Sequence, residues 1–386
     1  MQLHEVLDGL EFKVQGEMLP ISGISYDSRK VQPGDLFVAM VGHEQDGHDF
    51  AQEAQQRGAA AVLVQRFIPG LNLTQVVVDD TRYALGLAAA NFYGHPSRQL
   101  RVLGITGTNG KTTTTYLVKS ILEQAGYKVG LIGTIQILLG GRALESERTT
   151  PESLDLQRLF SQMLAEGVDF VVMEVSSHAL ELHRTTGVSF AGAVFTNLSQ
   201  DHLDFHTTMD EYYAAKAKLF TGLDGPAAIN VDDSWGAKLA ASLPEGVVTF
   251  AVDQPADFRA QKIELENTGV SYILDSKDGQ TEIRLQLMGQ FNVYNTLAAA
   301  ALCAAQGIAL DKIKDGLERV PGVPGRFERI GNGHGLNIVV DYAHTPHGLE
   351  NILRSARVLV PAGRIIVVFG AGGDRDKTKR PLMGAV

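Results

Sequence analysis

The sequence contains little cysteine, no excess of basic residues and no long apolar run. Its single cysteine, Cys303, cannot form an intramolecular disulfide, which favours a reducing compartment. Lys and Arg number 34 against 44 Asp and Glu, and the resulting charge of −10 argues against a general nucleic-acid-binding protein. No window approaches the roughly 18 apolar residues of a membrane span, and the amino terminus lacks the features of a signal peptide. We therefore expect a cytoplasmic protein that binds neither nucleic acid nor membrane.

The length and the glycine content point to several α/β domains. At about 150 residues per domain, 386 residues correspond to two or three domains. The hydrophobic content of 44% and charged content of 20% are typical of globular proteins and exclude a disordered chain. The 41 glycines exceed the roughly 27 expected from an average near 7%. Such an excess suits α/β proteins, in which sharp turns join strands to helices.

Apolar runs and helical periodicity divide the chain into three segments. Residues 1–97 contain strand patterns at 35–40, 59–65 and 74–80 and helix patterns at 51–58 and 81–94. Residues 98–322 alternate strand and helix, which predicts a mostly parallel sheet covered on both faces, followed by antiparallel strands within 262–289. Residues 323–386 follow a Pro/Gly-rich linker and predict a strand at 336–343, a helix at 348–360 and a strand at 364–373. We expect this third domain to be incomplete.

The strongest local signal is the segment GITGTNGKTT (104–113), which lies between a predicted strand and a predicted helix. Glycines allow backbone N–H groups to converge on phosphate oxygens, and the helix that follows offers the positive end of its dipole. Lys111 can neutralise the β- and γ-phosphates, and Thr112 can bind the accompanying Mg²⁺. The strict phosphate-loop pattern would have glycine at 105, where this chain has Ile105. The alternative is a plain glycine turn. The candidate nucleotide-binding residues are Gly107, Thr108, Asn109, Gly110, Lys111, Thr112 and Thr113.

Two further polar residues follow apolar strands. Glu174 ends the strand pattern DFVVMEV, and His202 follows AGAVFTN. Ligand sites of open α/β sheets lie at the carboxyl ends of the strands, and Mg²⁺ prefers oxygen ligands such as a carboxylate and a hydroxyl. Histidine is a less usual Mg²⁺ ligand, so His202 alone is more simply an ordinary polar residue. Composition alone would make Lys216 a solvated lysine, and its ammonium would repel a cation.

The order and spacing of several motifs resemble those of the Mur ligases, the ATP-dependent amide-forming enzymes of peptidoglycan precursor synthesis. Within that family they are most similar to the tripeptide synthetases (MurE type). The matching segments are GLIGTI (130–135), TTPE (149–152), MEVSSHAL (173–180), DHLDFH (201–206), DYAHTP (341–346) and GAGGDRDKTKRPLMG (370–384).

This resemblance implies a three-domain architecture. A UDP-substrate-binding α/β domain (1–97) would precede a parallel-sheet ATPase domain (98–322) and a truncated Rossmann-like domain that binds the amino acid (323–386). It implies addition of meso-diaminopimelate or L-lysine to UDP-N-acetylmuramoyl-L-alanyl-D-glutamate through an acyl phosphate. It also implies ATP, two Mg²⁺ ions and a monomeric enzyme.

The resemblance also assigns roles to individual residues. The UDP substrate would contact Ser28, His43, Glu44, Gln45, Thr149, Thr150, Ser176 and Arg184. ATP would contact Asn295, Arg326 and Asp341 besides the phosphate loop, and Arg375 would contact the amino acid. The metal ligands would be Thr112, Glu174, His202 and Lys216, the last carbamylated by CO₂ to an anion. Without the resemblance, Arg326 would be read as a surface charge.

Two alternatives remain at this point. One is a sister ligase that adds a different amino acid or a dipeptide to a related UDP precursor. The other is a protein that binds nucleotide and UDP-sugar without catalysing ligation, because its third domain is expected to be incomplete. The general base that deprotonates the amine is not assigned by the sequence.

Overall fold

The computed structural model describes residues 1–42, 45–331, 336–370 and 377–386. Their contacts separate two compact units. The N-terminal unit comprises Met1–Leu100, Pro151–Glu166 and Ala179–Ser189. The larger unit comprises Arg101–Thr150, Gly167–His178 and Phe190–Val386.

The N-terminal unit contains a five-stranded sheet in the order β1-β5-β4-β3-β2, parallel except for β1. Its strands are β1 (Lys13–Gln15), β2 (Gly23–Ser25), β3 (Asp35–Val38), β4 (Ala61–Val64) and β5 (Thr74–Val77). The helices that precede the larger unit in the chain are α1 (Leu3–Val6), α2 (Ala51–Gln56) and α3 (Thr81–Phe92). Leu36 and Val38 belong to one apolar cluster, whereas Phe37 belongs to another, because alternate side chains of a strand point to opposite faces. Both faces of the sheet are therefore buried at the inner strands β3 and β4, which explains their mainly apolar sequences. The three predicted strands and two predicted helices of this region are confirmed.

The larger unit is built on an eleven-stranded mixed sheet in the order β16-β15-β14-β13-β12-β11-β6-β10-β7-β8-β9. Its strands are β6 (Arg101–Thr106), β7 (Val129–Ile132), β8 (Gln136–Leu139), β9 (Arg142–Glu145), β10 (Phe170–Glu174), β11 (Gly192–Phe195), β12 (Ala227–Asn230), β13 (Val247–Ala251), β14 (Phe258–Glu266), β15 (Gly269–Ser276) and β16 (Gly279–Leu285). The helices over the same range are α4 (Lys111–Gln124), α5 (Ser153–Ala165), α6 (Ser177–Glu181), α7 (Met209–Ala217), α8 (Ser234–Ser242), α9 (Gln290–Ala305) and α10 (Leu310–Glu318). Helix α5 belongs to the N-terminal unit. The predicted parallel sheet and the antiparallel strands after it are confirmed.

The register of the central strands determines where functional residues meet. Strand β6 pairs in parallel with β10 on one side and β11 on the other, and β10 pairs in parallel with β7. Glu174 lies opposite Ile105, and Phe195 lies opposite Thr106. The carboxyl ends of four neighbouring strands therefore meet at one edge of the sheet, where ligand sites of such folds form.

The described residues after 322 form the strands β17 (Glu328–Ile330) and β18 (Ile338–Val340) and the helices α11 (Pro346–Leu359) and α12 (Lys379–Ala385). The predicted strand at 364–373 is wrong over residues 364–370, which form no strand, and the rest of it lies outside the described residues. Within the described ranges, nothing forms a ladder with this apolar run, and Val368 is 96% exposed. No helix among the described residues has the length and apolarity needed to cross a membrane.

An aromatic pair joins helices α7 and α8. The rings of Tyr213 and Trp235 lie 5.2 Å apart between centroids, and the Lys238 ammonium lies 4.7 Å and 4.9 Å from them. Asp233 caps α8 by accepting the backbone N–H of Trp235, and its other oxygen accepts the N–H of Leu198. The helix that carries Lys216 is thus tied to the loop that follows β11.

Candidate active site

The phosphate-loop segment joins the central strand β6 to helix α4. Gly107 and Gly110 adopt φ angles of 145° and 88°, a region that favours glycine. The backbone N–H of Thr108 donates to the carbonyl of Asn197 at 2.9 Å, and that of Asn109 donates to the Asn197 side-chain oxygen at 3.0 Å. The loop is therefore held in shape by the residues that follow β11.

Glu174 lies beside this loop, at the end of β10, and is buried. The Thr112 hydroxyl donates to Glu174 Oε2 at 3.0 Å. Thr150 Oγ1 donates to the Glu174 carbonyl at 2.9 Å and accepts the N–H of Ser176 at 3.1 Å. The structure thus brings Thr112, Glu174, Thr150 and Ser176 together. It also places Thr134, which the sequence analysis did not single out, against the Glu174 carboxylate.

Two lysines share one backbone carbonyl. Lys111 Nζ donates to the carbonyls of Gly107 and Thr108, both at 2.9 Å, and Lys216 Nζ donates to the carbonyl of Gly107 at 2.8 Å. Lys216 is 1% exposed. The solvated lysine that composition alone predicted is therefore wrong. Burial, followed by the charge of Lys111, lowers the pKa of the Lys216 ammonium well below its usual value. Lys216 is thereby held as a neutral amine more readily than an ordinary lysine.

His202 follows β11 in a left-handed conformation with φ of 56°. Its ring packs edge-on against His178, with the centroids 4.8 Å apart. Burial lowers the pKa of His202 to about 3, and the charges of Lys111 and Lys216 act in the same direction, although Asp201 opposes them. The imidazole is therefore neutral at physiological pH and retains a lone pair for a cation.

Asp201 is a buried carboxylate that the sequence analysis quoted within DHLDFH but did not assign. His344 Nε2 lies 3.3 Å from one of its oxygens, and Lys379 Nζ lies 3.4 Å from the other. Burial alone would raise the pKa of Asp201, but the hydrogen bond from His344 and the neighbouring positive charges lower it below the usual range. Through these two contacts, Asp201 connects the loop after β11 with the segment after residue 322.

Arg326 donates to the Thr112 hydroxyl at 2.8 Å, and its guanidinium lies 4.9 Å from the centre of the Tyr342 ring. The Asp341 carboxylate accepts the N–H groups of Phe327 and Ala343, both at 2.7 Å. Burial raises the pKa of Asp341. Asp341 thus fixes the backbone next to Arg326, which is not the free surface charge expected without the resemblance.

The remaining ATP candidate, Asn295, lies against the phosphate loop. Its side-chain amide donates to Asn292 Oδ1 at 2.8 Å. A Cβ built on Gly110 would approach Asn295 Oδ1 to 2.3 Å. Asn295 therefore packs against the loop backbone at a position that admits only glycine.

Three candidates for the UDP substrate lie among the described residues of the N-terminal unit. The Ser28 hydroxyl donates to Glu53 at 2.7 Å, Gln45 is exposed, and Arg184 Nε lies 3.1 Å from Glu152 Oε1. Thr149 lies in the larger unit, with its hydroxyl 3.0 Å from that of Thr134. His43, Glu44 and Arg375 lie outside the described residues.

The geometry of Thr112 and Glu174 fits a magnesium ion. Octahedral Mg²⁺ with bonds of about 2.0–2.1 Å places adjacent ligand oxygens about 3 Å apart. Thr112 Oγ1 and Glu174 Oε2 are separated by 3.0 Å. Within the part of the chain that the structure describes, no three His, Cys, Asp or Glu side chains form a metal-binding group. An unmodified Lys216 would repel a cation placed near His202.

Replacing Gly107 by alanine should disrupt the loop. A Cβ at this position would lie 1.9 Å from Thr196 Oγ1, whereas one at Gly126, which also has positive φ, would meet nothing within 4 Å. Both variants carry the cost of a left-handed alanine, but only Gly107→Ala should add about 1–3 kcal/mol of overpacking. Urea unfolding and ATP-binding titrations of the two variants measure this difference, and equal behaviour would contradict it.

Comparisons with known proteins place this geometry in context. Residues 105–303 match the Mur ligase middle domain, residues 325–386 match the Mur ligase glutamate ligase domain, and residues 20–93 match the Mur ligase catalytic domain. The chain is 46% identical over 393 residues to the UDP-N-acetylmuramoyl-L-alanyl-D-glutamate–2,6-diaminopimelate ligase of Clostridium botulinum, covering 100% of this chain and 81% of the relative.

Two further matches carry the same name. The protein from Caldanaerobacter subterraneus is 47% identical over 390 residues, covering 100% of this chain and 80% of the relative. A solved structure of a UDP-N-acetylmuramoyl-L-alanyl-D-glutamate–2,6-diaminopimelate ligase superposes with a TM-score of 0.79 at 32% identity, covering 100% of this chain and 80% of that one.

Proposed function

The chain belongs to the Mur ligase family, and we propose on that basis that it joins 2,6-diaminopimelate to UDP-N-acetylmuramoyl-L-alanyl-D-glutamate with hydrolysis of ATP. The observation that carries this proposal is the arrangement of Lys111, Thr112 and Glu174 at one edge of the central sheet, in a chain similar to such ligases over its whole length. The domain boundaries at 97 and 322 remain a prediction.

The chemistry requires an activated carboxylate, because a free carboxylate is a poor electrophile. In the proposed reaction an oxygen of the substrate carboxylate attacks the γ-phosphorus of ATP, and ADP leaves. The amine then attacks the acyl carbon of the resulting acyl phosphate, loses a proton and expels phosphate. Phosphoryl transfer depends mainly on positioning and charge neutralisation, which this edge of the sheet is suited to provide.

The residues of the phosphate loop would orient the triphosphate. The N-terminus of α4 directs backbone N–H groups and the positive end of its dipole toward an anion. Lys111, which now donates to two loop carbonyls, would exchange them for phosphate oxygens. Magnesium held by Thr112 and Glu174 would neutralise charge on the transferred group. Arg326, already within reach of Thr112, would add a second cationic side chain besides Lys111, with Asp341 fixing the backbone next to it.

We further propose that Lys216 carries a carbamate. The nitrogen lone pair of a neutral amine attacks CO₂, and the loss of one proton gives an anionic group with two oxygens. The buried position of Lys216 and the neighbouring Lys111 favour the neutral amine that this step requires. The carbamate and His202 would then supply donors for a second magnesium ion.

For the UDP substrate we propose contacts with Ser28, His43, Glu44 and Gln45 at one end and with Thr149, Thr150, Ser176 and Arg184 along the rest. Hydroxyls and an arginine suit an anionic ligand rich in hydroxyl groups. We propose Asn295 as an ATP contact because it packs against the phosphate loop. Arg375 remains the candidate contact for the amino acid.

Purified protein should form the UDP-muramoyl-tripeptide when supplied with the UDP-muramoyl-dipeptide, ATP, Mg²⁺ and meso-diaminopimelate. Mass spectrometry of the product, with a coupled assay for phosphate, should give one phosphate for each amide bond. L-Lysine lacks the second carboxylate of diaminopimelate, and we expect kcat/KM at least about 100-fold lower with it. A reaction without amino acid is the control.

Efficient use of lysine would contradict the proposed specificity. Ligation only to a UDP-muramoyl-tripeptide would indicate a sister ligase. Binding of the UDP-muramoyl-dipeptide without phosphate release under any amino acid would contradict ligase activity itself.

A further inference from the structure

One residue holds both oxygens of the buried Glu174 carboxylate. Thr134 follows strand β7, and its backbone N–H donates to Glu174 Oε1 at 2.8 Å while its hydroxyl donates to Oε2 at 3.0 Å. Gly133 allows this approach, because a Cβ there would lie 2.5 Å from Oε1. The two hydrogen bonds fix the plane of the carboxylate and so the direction in which its remaining lone pairs point.

The same hydroxyl reaches a second segment. Thr134 Oγ1 lies 3.0 Å from Thr149 Oγ1. A hydroxyl has only one proton, and that of Thr134 is donated to Glu174, so the proton between the two threonines must come from Thr149. The Thr149 oxygen is consequently oriented to accept a hydrogen bond, as from an amide N–H or a hydroxyl of a ligand.

The geometry points to Thr134 as a positioning residue that orients Glu174 and links it to the segment beginning at Thr149. This inference rests on the proposed function, in which Glu174 binds magnesium and Thr149 contacts the UDP-muramoyl-dipeptide. Thr134 touches neither reactant in this assignment. It acts through Glu174 on one side and through Thr149 on the other.

The link gives a physical reason for coupling between the two substrates. A ligand that donates a hydrogen bond to the Thr149 oxygen changes the hydrogen bond from Thr149 to Thr134, and the Thr134 hydroxyl in turn orients the carboxylate that would bind the cation. Because binding linkage is reciprocal, two factors should be equal: the factor by which the magnesium–nucleotide complex strengthens binding of the UDP-muramoyl-dipeptide, and the factor by which the dipeptide strengthens binding of the magnesium–nucleotide complex. Phosphoryl transfer would thereby be favoured only when both substrates are present.

Thr134→Val tests the hydroxyl, because valine keeps the shape and the backbone N–H but lacks the O–H. Thr134→Ser restores the O–H. Thr249→Val is the matched control. Thr249 lies in β13, several strands away from β10, and it also donates its N–H and hydroxyl to one carboxylate, that of Asp257, at 2.8 Å and 2.7 Å. Calorimetry would measure the magnesium dependence of binding of a non-hydrolysable ATP analogue. It would also measure affinity for the UDP-muramoyl-dipeptide with and without that analogue.

We expect Thr134→Val to raise the magnesium concentration for half-maximal binding by about 10- to 100-fold, a usual effect of removing a partner of a metal ligand. It should also reduce the coupling between the two ligands to less than about twofold, from the roughly 5- to 150-fold typical of coupled sites. Thr134→Ser and Thr249→Val should both behave like the wild type.

Wild-type magnesium dependence and wild-type coupling in Thr134→Val would overturn the inference. Equal impairment of Thr134→Ser, which keeps the hydroxyl, would also overturn it. Absence of coupling in the wild type would overturn the link to Thr149. If the wild type binds both ligands but forms no amide, the proposed function fails. The magnesium dependence of Thr134→Val would still decide the role of Thr134.

Discussion

Replacing Lys216 by alanine should lower the rate of ligation by at least about 100-fold, the scale for losing one group that stabilises transition-state charge. The wild-type side chain is buried and bonded to the Gly107 carbonyl beside Lys111. If Lys216 acts as a carbamate, acetate or formate should occupy the space left by Lys216→Ala and restore part of the rate. Lys216→Arg, which keeps the cation but cannot form the carbamate, should remain inactive.

The exposed Lys218, two residues further along the chain, provides the control, and Lys218→Ala should retain the wild-type rate. Carbon-13 NMR of protein supplied with labelled bicarbonate should show a carbamate carbon in the wild type and none in Lys216→Ala. Full activity of Lys216→Ala or of Lys216→Arg would exclude the anionic role. If acetate or formate rescues Lys216→Ala but the wild type shows no carbamate signal, the proposed carbamate would be contradicted.

Lys111→Ala should greatly reduce the rate of ATP-dependent ligation while leaving binding of the UDP-muramoyl-dipeptide nearly unchanged. Lys111 is the phosphate-loop cation, and its loss should cost about 10²- to 10³-fold in kcat. Lys119→Ala is the control on the same helix, because Lys119 pairs with Glu123 at 2.7 Å and its loss should cost about 0.3–0.5 kcal/mol of stability. Phosphate release and calorimetric binding of the UDP substrate are the two measurements.

The two lysine variants should not be independent. Lys111 contributes to lowering the pKa of Lys216, so its removal also makes the amine of Lys216 less available to CO₂. The double variant should therefore be little worse than either single variant, as is usual for groups that act as a unit. Loss of UDP-substrate binding together with ligation in Lys111→Ala would indicate misfolding instead. Rates that multiply in the double variant would contradict the shared role.

The sequence was sufficient for the parts of the site that are local. Gly107, Gly110 and Lys111 lie within one short segment whose strand-loop-helix context is visible in the pattern of residues, and the structure places that loop as predicted between β6 and α4. Glu174 could be placed at the same edge because parallel strands present their carboxyl ends together.

Contacts between distant segments could not be predicted in this way. Thr134 and Glu174 meet because β7 pairs with β10, and sequence spacing does not specify that pairing. Asp201 lies in a quoted motif, but its partners His344 and Lys379 are far along the chain. Lys216 looks solvated by composition, yet it shares a buried helix face with Tyr212, four residues before it. In the same way, an apolar run at 364–370 suggested a strand, but a strand also needs a neighbour to pair with.

The aromatic pair between α7 and α8 has an optical consequence. Trp235 is the only tryptophan of the chain, so the intrinsic emission of the protein at long wavelength has one source. That indole packs at a tilt against Tyr213, three residues before Lys216. The backbone N–H of Trp235 donates to Asp233, which also accepts the N–H of Leu198 in the loop after β11. We therefore expect the emission of this one indole to report changes in helix α7, which carries Lys216, and in the loop after β11.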